Sequence, residues 1–105
     1  MKTKKREKLE RAGWTVGDTQ EFLDLSDAEM ALVDVRVSLA QELRKKRLRK
    51  KISQATLAKR IGSSQSRVAK MEAGDPSVTI DLLMRSLLRS GSTAAEIAQV
   101  IAKAG

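Results

Sequence analysis

The side chains equipped to do chemistry in this chain are amides, hydroxyls and ammonium groups, and they gather between Ser53 and Gly74. From Ser64 onward, Ser66, Ala69, Lys70 and Ala73 share one side of a helical projection, while Val68 and Met71, three residues apart, share the other. Such a helix can rest its bulky apolar side on a protein body and offer short polar and basic groups to base edges in a DNA major groove. On periodicity alone, an ordinary amphipathic hairpin packed in a core is the commoner explanation of the same pattern.

The flanking stretches must hold that helix in place. Ser53 can cap a short helix that buries Leu57, Ala58 and Ile61, and Gly62 ends it because a residue without Cβ takes the left-handed turn easily. Ser64 is the next cap. Upstream, Asp18 to Glu21 and Ser26 to Glu29 both have the form of a capping box, predicting a short turn and then a long helix from about Asp27 towards Lys50. Its apolar stripe would be Leu32, Val35, Leu39 and Leu43, with Val33, Val37 and Ala40 beside it. So wide a stripe needs cover on two sides. The end of this helix, Arg44 to Lys51, holds seven cations in eight residues, more than the helix dipole calls for. Because it leads straight into Ser53, some of these cations, Arg49, Lys50 and Lys51 among them, are expected to flank the exposed helix and reach phosphates.

Downstream, Asp75-Pro76 forces a turn, and Ser77 or Thr79 can cap a helix carrying Ile80, Leu83, Met84 and Leu87. Ser90-Gly91 stops it. Thr93 to Glu96 is a further capping box, opening a last helix with Ile97, Val100, Ile101 and Ala104 on one face. No stretch alternates as a strand, so the expected class is all-α with about five helices, residues 1–30 forming an N-terminal arm and 31–105 the main domain.

Composition narrows the function classes. The chain has no cysteine and no histidine, which excludes disulfides, cysteine-based metal sites and Ser-His-Asp or Cys-His catalysis, and leaves no convincing catalytic or metal site and no cofactor. No apolar run approaches a membrane span, so a soluble, cytoplasmic protein is expected. The net charge of +8 is unevenly spread. Residues 1–11 hold six basic and two acidic groups, 12–34 hold six acidic and no basic groups, and 35–105 hold fifteen basic and five acidic groups. Phosphate binding accounts for the basic part, with mere solubility as the alternative. Trp14, beside Val16, is read first as an anchor of the arm on the body, because two aromatics are too few for a base-stacking platform.

The string Ser53-Gln54, Leu57-Ala58, Ile61-Gly62, Ser64-Gln65-Ser66, Val68, Met71-Glu72 and Gly74 resembles the lambda-repressor-like, Cro or XRE helix-turn-helix family across the whole hairpin. The resemblance implies base contacts from Gln65, Ser66 and Lys70, DNA-backbone contacts from Gln54, Ser64 and Arg67, and a structural pair between Arg47 and Glu72. Ala73 departs from the Asn that many relatives carry before the closing glycine. With the flanks Gly13 to Gly17 and Phe22 to Ser26, and with Ser64 to Val78, the chain is also similar to small HigA-like antitoxins. That likeness implies a type II toxin–antitoxin pair, in which the protein neutralises a RelE or HigB-like toxin and represses its own operon. A stand-alone, phage-like XRE repressor is the alternative. Because ribonucleases tend to be basic, the acidic segment could attract one, with Trp14, Phe22 and Leu25 as partner-binding candidates. A single such domain reads only a half-site, so a homodimer on double-stranded DNA is expected, pairing through the last helix or the long first one.

Overall fold

Four side-chain caps start four helices in the computed structural model, which describes residues 27–105. Ser53 Oγ accepts from the Thr56 amide at 3.1 Å, Ser64 Oγ from Arg67 at 3.2 Å, Thr79 Oγ1 from Leu82 at 3.1 Å and Thr93 Oγ1 from Glu96 at 3.1 Å. At the last of these, Glu96 Oε1 also takes the Thr93 amide at 2.9 Å, completing the capping box. Thr79, not Ser77, is the cap after the turn, and the Ser77 amide instead donates to Asp75 Oδ1 at 2.8 Å. The elements are α1 (Asp27–Arg49), α2 (Gln54–Ile61), α3 (Gln65–Glu72), α4 (Ile80–Arg89) and α5 (Ala94–Ala102), and no strand occurs among the described residues. The protein is all-α, as its patterning predicts. Expectations for Trp14, Phe22, Leu25, the Asp18 and Ser26 capping positions and most of the N-terminal arm lie outside the described residues.

Several helix ends share one closure, in which a left-handed residue sends the next amide back into the last turn. Ser63 returns to the Ala58 carbonyl at 2.8 Å past Gly62, and Asp75 to Lys70 at 3.1 Å past Gly74. At the end of α1 the same turn is made by Lys51, with φ +57° and the Ile52 amide reaching the Arg47 carbonyl at 3.4 Å. A side chain at such a φ meets its own backbone, so this junction carries strain that glycine would not.

Helices α2 and α3 have eight residues each, too few to persist alone in water. Burial holds them. Leu57, Ala58 and Ile61 from α2 and Val68 and Met71 from α3 join Leu39 and Leu43 of α1 and Leu83 and Leu87 of α4 in one core. Each buried Leu, Val or Met contributes roughly 1.5–3 kcal/mol relative to exposure, which offsets the poor intrinsic stability of such short helices. The long α1 runs beneath α3, α4 and α5 and touches all three. Its stripe is shorter than its pattern suggests: Leu39, Ala40 and Leu43 are buried, but Leu32 is 49% exposed. The reason is geometric, since α3, α4 and α5 together cover only part of a helix 23 residues long. Ala104 likewise falls outside its expected helix, because α5 ends at Ala102 with Lys103 as cap.

Candidate nucleic-acid interface

Helix α3 turns Val68 and Met71 fully inward and leaves Gln65, Ser66, Arg67, Lys70 and Ala73 exposed. At about 100° per residue, Gln65, Ser66, Ala69, Lys70 and Ala73 lie within an arc of about 140°, opposite the buried pair. One face is therefore fixed to the body and the other is free. The residues before and after α3 frame that free face.

A chain of polar side chains sets its near edge. The Glu72 side chain is only 4% exposed and receives Arg47 in a forked pair, Nε to Oε2 at 2.7 Å and Nη2 to Oε1 at 3.0 Å. Nη1 of the same guanidinium donates to the Ile52 carbonyl at 3.0 Å. The contact with Glu72 raises the Arg47 pKa above its ordinary value against the opposing effect of burial. A carboxylate accepts and does not donate, so Gln54 turns its amide nitrogen to Glu72 Oε1 at 3.2 Å and its oxygen towards Gln65. Gln65 Nε2 meets that oxygen at 3.4 Å, which leaves the Gln65 oxygen and its second N–H for an outside partner.

The far edge is a groove of about 570 Å³ between α3, the loop at residues 77–79 and the first turns of α4. Arg67, Lys70 and Arg85 bring three cations to it, with Ser64, Ser66, Ser77 and Thr79 supplying hydroxyls. Arg85 is held by Asp81 at 2.7 Å, an exposed i,i+4 pair that contributes little to stability and is easily exchanged for another anion.

The cations of the basic run ending α1 take different partners. Arg47 is committed to Glu72, Lys46 lies 3.9 Å from Glu96, and Arg49 adds its field to the same carboxylate. Lys50 Nζ donates to the Ser90 carbonyl, at the opposite end of α4 from the turns that line the groove. Within α1 the helical rotation distributes successive cations around its axis instead of stacking them on one side, and Arg49 and Lys50 are both exposed. Lys51 is exposed at the left-handed turn before α2.

Residues 43–85, spanning the end of α1, all of α2 and α3 and the first turns of α4, match the family model described as helix-turn-helix. That segment is similar to XRE-type helix-turn-helix domains. No curated protein and no solved structure matches the chain. The helix-turn-helix match supports a DNA-binding regulator of transcription, and the family is not one of enzymes. No group of metal-binding side chains occurs among the described residues, and no described helix is long and apolar enough to cross a membrane.

Three groove residues escape sequence reasoning: Arg85, Ser77 and Thr79. Asp81 and Arg85 are recognisable as an i,i+4 pair, but no local pattern tells which helix they face. Only the packing of α4 against the end of the helix-turn-helix brings them beside Lys70.

Proposed function

We propose that this protein is a sequence-specific DNA-binding repressor whose helix α3 enters the major groove, and that it serves as the antitoxin of a type II toxin–antitoxin pair. The carrying observation for DNA binding is the division of α3, with Val68 and Met71 fully buried and Gln65, Ser66 and Lys70 open to solvent. Gln65, Ser66 and Lys70 would read bases, while Gln54, Ser64, Arg67 and Arg85 would hold the DNA backbone on either side. Gln65, with an oxygen and one N–H to spare, offers the acceptor and donor pair that matches the major-groove edge of adenine. Selecting bound duplexes from a random pool tests this reading. A shared site with an A·T pair where Gln65 reaches is expected, and an unenriched pool would refute it.

The antitoxin role is supported by the resemblance of the flanking segments to HigA-like proteins and by the acidic stretch 12–34, whose charge suits a basic ribonuclease. Residues 1–30 would serve as the toxin-facing arm and 31–105 as the DNA-binding domain, in the cytoplasm. Co-purification with the product of the neighbouring reading frame tests the pairing, and deletion of residues 1–25 tests the arm. A neighbour that does not bind would leave a stand-alone repressor.

A homodimer would form through the groove between α4 and α5, about 440 Å³ in volume and lined by Met84, Leu88, Ala94, Ile97, Ala98 and Ile101. Leu88 stands 50% exposed on it. Its rim carries one acid and one base, Asp81 and Arg85, so two copies related by a twofold axis can exchange those charges. The same two residues border the DNA-facing groove, and pairing there would set two α3 helices on a common side for adjacent half-sites.

A further inference from the structure

Arg36 lies in the part of α1 that precedes residues 43–85, yet it reaches the wall of the DNA-facing groove. Its Nε donates to the Val78 carbonyl at 3.1 Å, linking residues 42 positions apart in a partly buried contact. Val78 is 5% exposed, whereas its neighbours Ser77 and Thr79 are exposed and line the groove beside Lys70. The other loop bonds are local: Asp75 to the Lys70 carbonyl at 3.1 Å, Val78 to the Asp75 carbonyl at 3.0 Å and Ser77 to Asp75 Oδ1 at 2.8 Å. They shape the loop and tie it to the end of α3. The Arg36 bond ties it to α1.

The Val78 carbonyl and the Thr79 amide belong to one planar unit and point in opposite directions. Holding that oxygen towards α1 therefore directs the Thr79 N–H away from α1. A guanidinium donor is charge-assisted and strong enough to fix one orientation of a peptide that could otherwise rotate as a unit. Resting on the DNA-binding reading above, we propose that Arg36 is a positioning residue for DNA binding. It presets residues 75–79 so that the loop meets the phosphate backbone without first being ordered, a cost that otherwise reduces affinity.

The test compares the full-length chain with Arg36→Met, which keeps most of the stem but no donor, and Arg36→Lys, which keeps a cation and a donor. Affinity for a duplex selected from a random pool and for an unrelated duplex is measured across salt, well below each protein's Tm. Amide hydrogen exchange is followed at Ser77 and Val78, whose amides are bonded to the Asp75 carboxylate and carbonyl, with Leu57 as reference. Arg36→Met should weaken both duplexes by about tenfold, flatten the salt dependence and speed exchange at Ser77 and Val78 but not at Leu57. Arg36→Lys should fall between it and the parent. Equal duplex affinity for all three folded proteins, even with a lowered Tm, would overturn the positioning role. A parent protein that binds neither duplex would instead remove the DNA-binding reading on which it rests.

Discussion

Lys70 and Arg67 are both exposed cations near the same groove, yet their expected effects differ because of where they sit on α3. Lys70 shares the outward arc with Gln65 and Ser66, so Lys70→Ala should reduce preference for the selected site over random DNA by about 1–3 kcal/mol. Arg67 stands outside that arc, so Arg67→Ala should weaken both DNAs alike and lower the salt slope by about one. Equal losses on both DNAs for Lys70→Ala would make it a phosphate contact. Arg47→Ala acts differently, because it strands a carboxylate that is 4% exposed. A destabilisation of about 3 kcal/mol is expected from the unpaired charge, read from denaturant unfolding, together with weaker DNA binding as Gln54 and Gln65 lose their orientation. At Lys51 the sign reverses. With φ +57°, Lys51→Gly removes left-handed strain at some cost in chain entropy, for a net gain of about 0.5–1 kcal/mol. An unchanged or lowered Tm would show that the Lys51 side chain supplies a compensating contact.

At the scale of elements, the start of α5 links the fold to pH. The Thr93 amide and hydroxyl, together with Lys46 and Arg49 at the end of α1, hold the Glu96 carboxyl below its ordinary range. A depressed carboxyl stabilises the fold above its unfolded pKa, about 4.3, and that contribution is lost as pH falls through the lower folded value. Wild type should therefore melt higher than Glu96→Gln at neutral pH, and the two curves should converge below about pH 4. A constant gap across that range would mean that the charge of Glu96 does not matter. The Asp75 carboxyl is lowered in the same sense by the Ser77 hydroxyl and amide, so the loop beside the groove between α3 and α4 should also loosen in acid.

Across the whole molecule, the groove between α4 and α5 joins the question of assembly to that of DNA reading. Leu88→Arg puts a charge on the exposed centre of the groove without touching the buried core. If the proposed pairing through this groove holds, sedimentation should show a dimer for the parent and a monomer for the variant, and affinity for a two-half-site duplex should fall towards that for a single half-site. A variant that still sediments as a dimer would point to another face, such as the exposed side of α1 around Leu32.

Much of this protein is set by local rules that act within a few residues. Ser53, Ser64, Thr79 and Thr93 accept bonds from amides three positions on, Gly62 and Gly74 turn the chain at a positive φ that strains other residues, and the three-and-four spacing of apolar residues gives each short helix its inner face. These causes lie wholly within each segment, so helix starts, the all-α class and the two-sided α3 were legible from the residues. Contacts between distant residues obey no such local rule. A dense cationic run reads as one surface, but the rotation of α1 turns Arg47 to Glu72 and Lys46 and Arg49 towards Glu96, and Lys50, just past the helix, bonds the Ser90 carbonyl. In the same way, packing alone turned Arg85 and Arg36 towards the end of α3, because their partners are fixed by how helices cross and not by their neighbours in the chain.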